Sequence, residues 1–133
     1  MDIATLLSIT PVYISTLGLL FILFTVRTAL YRIQNKILIG VGDDPEMLRL
    51  IRGHANFIET VPMALFLLVM MEVLGASGVW LHSLGLGLVI ARIAHYLGLT
   101  EAAPLSFRTV GMFVTLLTIL ISSFWILIRM LLG

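Results

Sequence analysis

Four long apolar runs, separated by short charged or turn-forming segments, constrain the fold more than any other feature of this sequence. A helix needs about 20 mostly apolar residues to cross a bilayer, and we expect such helices over residues 3–33, 45–74, 79–99 and 106–131. The chain is 60% hydrophobic and only 11% charged, whereas soluble domains carry about 25% charged residues. The sequence therefore predicts an all-α integral membrane protein, a bundle of four transmembrane helices in a single domain over residues 1–133.

The segment between the first two runs contains the signals of a helix start. Asp44 can accept hydrogen bonds as the N-cap, Pro45 suits the first helical position, and Glu46 places an acid in the first turn. The first run is longer than the core of a signal peptide, and Arg27 follows it where a cleavage site would carry small residues. We therefore expect a retained first helix and a second helix that starts in water.

The distribution of basic residues predicts the orientation of the bundle. All Lys and Arg residues except Arg129 flank the first and third loops, namely Arg27, Arg32, Lys36, Arg49, Arg52, Arg92 and Arg108. Loops rich in Lys and Arg stay in the cytoplasm. We expect a multi-pass protein of the cell's inner membrane, with both termini outside and the polar groups facing the cytoplasm.

Charge and cysteine content exclude several classes of function. A net charge of +1 argues against a nucleic-acid partner, which requires a basic surface. The chain has no cysteine, so it lacks disulfides, thiolate metal ligands and a cysteine nucleophile. No pair of His and acidic residues has the spacing of a metal site, and we expect no metal.

Polar side chains interrupt the second apolar run near its start. Arg52, Asn56 and Glu59 fall on one helix face, because about 100° separates successive residues. Such groups are costly at this depth unless they meet partners or a ligand. An ion pair between helices and a ligand site are both open interpretations.

Other polar residues lie at a similar depth on the remaining helices. Arg27 ends the first run, Arg92 with His95 and Tyr96 ends the third, and Arg108 begins the fourth. The arginines either extend to lipid headgroups or join a binding site. His95 on an apolar helix is commonly a hydrogen-bonded interior residue, so its participation in a site is open as well.

Three segments carry a resemblance to a known family. They are Arg-Gly-His-Ala-Asn-Phe-Ile-Glu-Thr-Val-Pro from residue 52, Arg-Ile-Ala-His-Tyr-Leu-Gly from residue 92, and Arg108 at the head of the last helix. Together they resemble the MAPEG family, membrane-associated proteins in eicosanoid and glutathione metabolism, and most of all its small bacterial members and microsomal glutathione transferases. The resemblance implies a homotrimer that holds its co-substrate glutathione between neighbouring subunits.

The resemblance also implies roles for individual residues. Arg52, Asn56 and Glu59 match glutathione-binding positions, with Glu59 expected at the free amino group. Arg27 matches a residue that contacts a glutathione carboxylate, and Arg92 matches a polar position beside the ligand.

The resemblance implies roles at three further positions, one of them catalytic. Arg108 matches the arginine that stabilises the glutathione thiolate, and is the expected catalytic residue, while His95 matches a second polar position beside the ligand. The sequence departs from the family at Leu99, where catalytic relatives often have a tyrosine, and Tyr96 is the candidate to replace that contact.

These roles imply a membrane-bound glutathione S-transferase. It would conjugate glutathione to lipophilic electrophiles from the bilayer, with glutathione peroxidase activity on lipid hydroperoxides as a possible second reaction. The alternative is a non-catalytic lipid-binding or scaffold protein of the same family. A small transporter is disfavoured, because the polar groups cluster at one end of the bundle.

Overall fold

The computed structural model describes residues 7–132, which form four helices and no strand. The helices are α1 (Thr10–Gln34), α2 (Pro45–Val73), α3 (Gly78–Leu99) and α4 (Leu105–Leu132). Each is long and apolar enough to cross a membrane. The predicted four-helix transmembrane architecture is confirmed, and the expected bounds of the last three helices agree with the structure to within one residue.

The first helix begins later than the sequence predicted. Residues 7–9 are not helical, and the expected residues 3–6 lie outside the described part of the chain. The start is set by Glu72 near the end of α2, whose carboxylate accepts hydrogen bonds from the backbone N–H groups of Ser8 at 2.8 Å, Ile9 at 2.7 Å and Thr10 at 2.8 Å. The first N–H groups of a helix have no partner within the helix. A carboxylate from a different helix therefore fixes where α1 starts.

The start of α2 agrees with the prediction. Asp44 is the N-cap, and its side chain accepts from the backbone N–H groups of Glu46 at 2.9 Å and Met47 at 3.1 Å. The hydroxyl of Tyr31 on α1 also donates to Asp44, at 3.0 Å. The cap thus ends the first loop and holds α1 against α2.

The buried core runs along α2, which packs against the other three helices. Its members are apolar side chains from α1, α2 and α3, including Leu17, Phe24, Leu50, Phe57, Leu68 and Leu88. Many other large apolar side chains are exposed, among them Leu19, Leu23, Phe66, Phe113 and Leu120. Such a surface suits contact with lipid, because acyl chains are as apolar as the interior of the protein.

Helices α3 and α4 approach each other more closely than any side chain would allow. A Cβ at Gly111 would overlap the backbone oxygen of Ala91, and one at Gly98 would overlap the backbone nitrogen of Arg108. Small residues permit such backbone contact between membrane helices. The contact brings the first turn of α4, with Arg108, against His95 on α3.

Candidate functional site

A groove of about 240 Å³ at the basic end of the bundle contains four of the predicted site residues. Arg52 and Asn56 enter it from α2, His95 from α3 and Arg108 from α4; the lining is completed by Leu48, Arg49 and Leu99. We call it the basic groove. Because three arginines line it, the basic groove is suited to an anionic ligand.

A larger, more apolar groove of about 580 Å³ shares Asn56, His95 and Arg108 with the basic groove. Its other lining residues are Leu105, Thr109, Met112, Phe113 and Leu116, all on α4. The side chains of Phe113 and Leu116 are exposed on the outer surface of the bundle. The two grooves thus form one site with a cationic part and an apolar part that faces the lipid-exposed surface.

His95 is fixed by a contact with the first turn of α4. The side chain is buried, and its Nδ1 lies 3.0 Å from the backbone oxygen of Arg108. A carbonyl oxygen can only accept, so Nδ1 carries the hydrogen and Nε2 is the acceptor of the neutral ring. His95 therefore joins α3 to the residue predicted to be catalytic.

Arg92 lies beneath Asn56 and lines neither groove. It is 2% exposed, and its Nη1 donates to Asn56 Oδ1 at 2.8 Å and to Thr60 Oγ1 at 2.9 Å. No carboxylate within residues 7–132 forms an ion pair with it. The interpretation that Arg92 extends to lipid headgroups is wrong, and a direct ligand contact would require Asn56 to move aside.

Arg52 and Glu59 are both exposed, and neither forms an ion pair within the described residues. The internal Arg–Glu pair that the sequence left open is therefore not formed. Glu59 lines neither groove, although it shares a helix face with Arg52, about 10 Å away along the axis. The shared helix face was predicted, but only Arg52 and Asn56 reach the basic groove.

Arg27 and Tyr96 lie away from the grooves, on the side of α1. Tyr96 is 4% exposed, and its ring stacks on Phe24 with 3.7 Å between ring centroids. The guanidinium carbon of Arg27 is 5.6 Å from the Tyr96 ring centroid, and Arg27 Nη2 is 3.8 Å from Glu46 Oε1. Tyr96 therefore lines neither groove, whereas Leu99 lines the basic groove.

Sequence reasoning missed the role of Arg49 as a third guanidinium of the basic groove. Arg49 Nη2 lies 2.6 Å from Glu101 Oε1, and its Nη1 lies 3.5 Å from Glu46 Oε2. Its position three residues before Arg52 was the available signal, because residues spaced by three share a helix face. These two carboxylates hold Arg49 at the mouth of the groove.

Comparisons with known proteins agree with this architecture. The sequence model of the MAPEG family matches residues 10–128. Two similar proteins, both named inner membrane protein YecN and from two strains of Escherichia coli, are each 31% identical to the chain over 90 residues. The match covers 68% of this chain and 69% of each relative.

Proposed function

The chain belongs to the MAPEG family, and from that premise we propose that it is a membrane-bound glutathione transferase. In this proposal Arg108 stabilises glutathione as the thiolate, and a lipophilic electrophile reaches the sulfur from the bilayer. The observation that carries it is the convergence of Arg49, Arg52 and Arg108 on one groove with Asn56 and His95.

The charges of the basic groove match those of glutathione. The tripeptide has two carboxylates, one ammonium and a thiol, and guanidinium groups bind carboxylates through two parallel hydrogen bonds. Arg27 and Glu59 are exposed outside the groove. In a homotrimer with glutathione between subunits, Arg27 of a neighbouring subunit and the outward-facing Glu59 complete the site.

Arg108 supports the chemical step through its charge. A free thiol has a pKa of roughly 8.5, and only the thiolate is a strong nucleophile. A cation within about 4–6 Å lowers the pKa of an acidic group by about 1–3 units, and a shift of more than about 1.5 units makes the thiolate the majority form at pH 7. Arg108 lies in the first turn of α4, where the unpaired N–H groups of a helix add positive potential.

The reaction is a substitution at the electrophile. The thiol loses its proton to water, the sulfur forms a bond to the electrophilic carbon, and the leaving group departs with its electron pair. The apolar part of the site, with Met112, Phe113 and Leu116, binds the electrophile beside the sulfur. Holding both reactants in register supplies the rate advantage of proximity.

The same groups would support reduction of a lipid hydroperoxide. In that reaction the thiolate attacks the outer peroxide oxygen, the lipid leaves as an alcohol, and a second glutathione reduces the resulting sulfenic acid to water and glutathione disulfide. The groove needs no further protein group for this, since the sulfur is again the nucleophile.

The proposed location is the bacterial inner membrane. Two relatives are named inner membrane proteins, and four helices can span a bilayer. With the basic loops in the cytoplasm, both termini lie outside and the basic groove opens to the compartment that holds glutathione.

The direct test is Arg108→Ala in protein purified in detergent, assayed with glutathione and a chlorinated nitroarene. Loss of a cation that stabilises developing charge costs about 10²–10³-fold in turnover, and we expect a fall of that size. Arg129→Ala is the matched control, because Arg129 is an exposed arginine near the other end of α4, and its turnover should equal wild type. Unchanged turnover in Arg108→Ala would remove the residue from the mechanism.

The second candidate function is a non-catalytic lipid-binding or scaffold protein of the family. It is favoured by Leu99, which lines the basic groove where catalytic relatives often have a tyrosine. Calorimetry separates the two functions. Absence of heat on titrating glutathione into intact, folded protein would favour the scaffold.

A further inference from the structure

The carboxamide of Asn56 lies between a buried cation and the basic groove. Arg92 Nη1 is 2.8 Å from Asn56 Oδ1, and Asn56 also lines both grooves. A guanidinium can only donate hydrogen bonds. The Asn56 atom that faces Arg92 is therefore the oxygen, and the NH₂ group points away from Arg92. Its Nδ2 lies 3.8 Å from Sδ of Met112, which lines the larger groove where that groove shares Asn56, His95 and Arg108 with the basic groove.

We propose that Arg92 is a positioning residue, which fixes the Asn56 amide with its N–H donors toward the groove and so restricts that position to a hydrogen-bond acceptor of the ligand. The acceptor is a carboxylate or peptide carbonyl oxygen. The proposal rests on the proposed function for the identity of the ligand as glutathione. It replaces the expected direct contact between Arg92 and glutathione.

Thr60 gives the Arg92 guanidinium a second acceptor on α2. Its hydroxyl donates to the backbone oxygen of Asn56 at 2.8 Å, and its Oγ1 accepts from Arg92 at 2.9 Å. Because the hydroxyl hydrogen is used within α2, a lone pair faces Arg92. Arg92 thus binds two acceptors one turn apart on α2, and the position of its guanidinium is fixed by both.

The charge of Arg92 strengthens the preference of the site for an anionic acceptor. The side chain is 2% exposed, its two partners are neutral, and its Nε and Nη2 have no hydrogen-bond partner among residues 7–132. A buried cation without a counter-charge is costly. An anionic group in the groove on the far side of Asn56 lowers that cost, so the site favours a carboxylate over a neutral acceptor.

Asn56→Asp tests the orientation of the amide with little change of shape. Aspartate still accepts from Arg92 and adds a counter-charge, so the fold is retained, but it presents an oxygen without a hydrogen to the groove. A hydrogen bond to a charged group contributes about 1.5–3 kcal/mol, and we expect the Kd for glutathione to rise about 10-fold or more. The KM for the chlorinated nitroarene should stay at the wild-type value, and the thermal inactivation temperature should not fall.

Thr60→Val is the matched control, since it removes the second acceptor and leaves the contact between Arg92 and Asn56 in place. Its Kd for glutathione should stay within about threefold of wild type. An unchanged Kd for glutathione in Asn56→Asp would overturn the proposal. If wild type itself binds no glutathione, the proposed function fails and a readout without ligand is needed.

That readout is the side-chain amide signal of Asn56 in ¹⁵N-labelled protein, assigned by its loss in Asn56→Asp. In Arg92→Met the amide loses its fixed partner, and we expect its two proton signals to shift and exchange faster with water. The same signals in wild type and Arg92→Met would overturn the positioning role, whichever ligand the groove binds.

Discussion

Glu72 and Arg92 lie toward opposite ends of the bundle, and contacts within the chain hold the two charged side chains differently. At one end, the Glu72 carboxylate accepts from three backbone N–H groups and from the Ser8 and Thr10 hydroxyls. Toward the other end, Arg92 donates from one nitrogen of its guanidinium, while Nε and Nη2 have no hydrogen-bond partner in the part of the chain that the structure describes. The carboxylate is saturated with donors and the guanidinium is not.

We interpret the difference as one between a structural charge and, in the proposal above, a charge that positions a ligand contact. Glu72 completes the start of α1, because its oxygens supply the acceptors that the first turn lacks. Arg92 joins α3 to α2 through Asn56 and Thr60, but a buried cation is more costly there than apolar packing would be. Its placement beneath Asn56 gains from an anion in the basic groove. Removing Glu72 should therefore lower stability and leave ligand binding unchanged, whereas removing Arg92 should mainly weaken ligand binding.

Glu72→Ala should give the largest effect on stability. It leaves the N–H groups of Ser8, Ile9 and Thr10 without their acceptor, and we expect a loss of about 3 kcal/mol. Thermal inactivation in detergent measures it. The folded fraction of Glu72→Ala should have the wild-type KM for glutathione. Glu72→Gln keeps one carbonyl acceptor, so its inactivation temperature should lie between those of wild type and Glu72→Ala. A raised KM with unchanged stability would break the comparison.

Arg92→Met should show the reverse pattern. Removing a buried charge without a counter-charge favours the folded state, whereas Asn56 Oδ1 and Thr60 Oγ1 lose their donor. Because these two effects oppose each other, the inactivation temperature should change far less than in Glu72→Ala. The KM for glutathione should rise about 10-fold, because Asn56 loses its fixed orientation. The KM for the electrophile is the internal control. A loss of stability as large as that of Glu72→Ala would make Arg92 a structural residue.

Local sequence rules were sufficient for the helices and for one cap. Apolar runs gave the spans, and the Asp44, Pro45 and Glu46 signals gave the start of α2 as the structure has it. Those rules concern residues a few positions apart. They also placed Arg52 and Asn56 on one helix face, and the family motif named His95 and Arg108 as their neighbours in the site.

Contacts between distant segments were beyond such rules. Glu72 was assigned no role, because its partners lie more than sixty residues earlier in the chain. Helical periodicity shows that His95 and Tyr96 point about 100° apart, but not which of them faces the groove. Arg92 was expected at the ligand. Only its packing against α2 shows that Asn56 lies between Arg92 and the basic groove. The sequence identifies the polar residues, whereas the neighbouring helices decide their roles.

Asp44 offers the smallest effect and a pH-dependent counterpart to Glu72, since both carboxylates accept from the first N–H groups of a helix. The hydrogen bond from the backbone N–H of Met47 holds the pKa of Asp44 below its ordinary value of 3.8, with help from the Tyr31 hydroxyl and the Glu46 N–H against the opposing effect of desolvation. Because the folded pKa is the lower one, the ionised carboxylate stabilises the protein fully above the unfolded pKa. That contribution is lost as the pH falls through the folded pKa.

Asp44→Asn isolates this contribution, because asparagine is also a good N-cap and does not titrate. The difference in thermal inactivation temperature between wild type and Asp44→Asn should stay constant from about pH 8 to pH 5 and shrink below about pH 4. A difference that does not change over this range would show that the charge of Asp44 contributes nothing beyond its hydrogen bonds. The effect should be far smaller than that of Glu72→Ala, since Asp44 accepts from its own helix and asparagine replaces that acceptor.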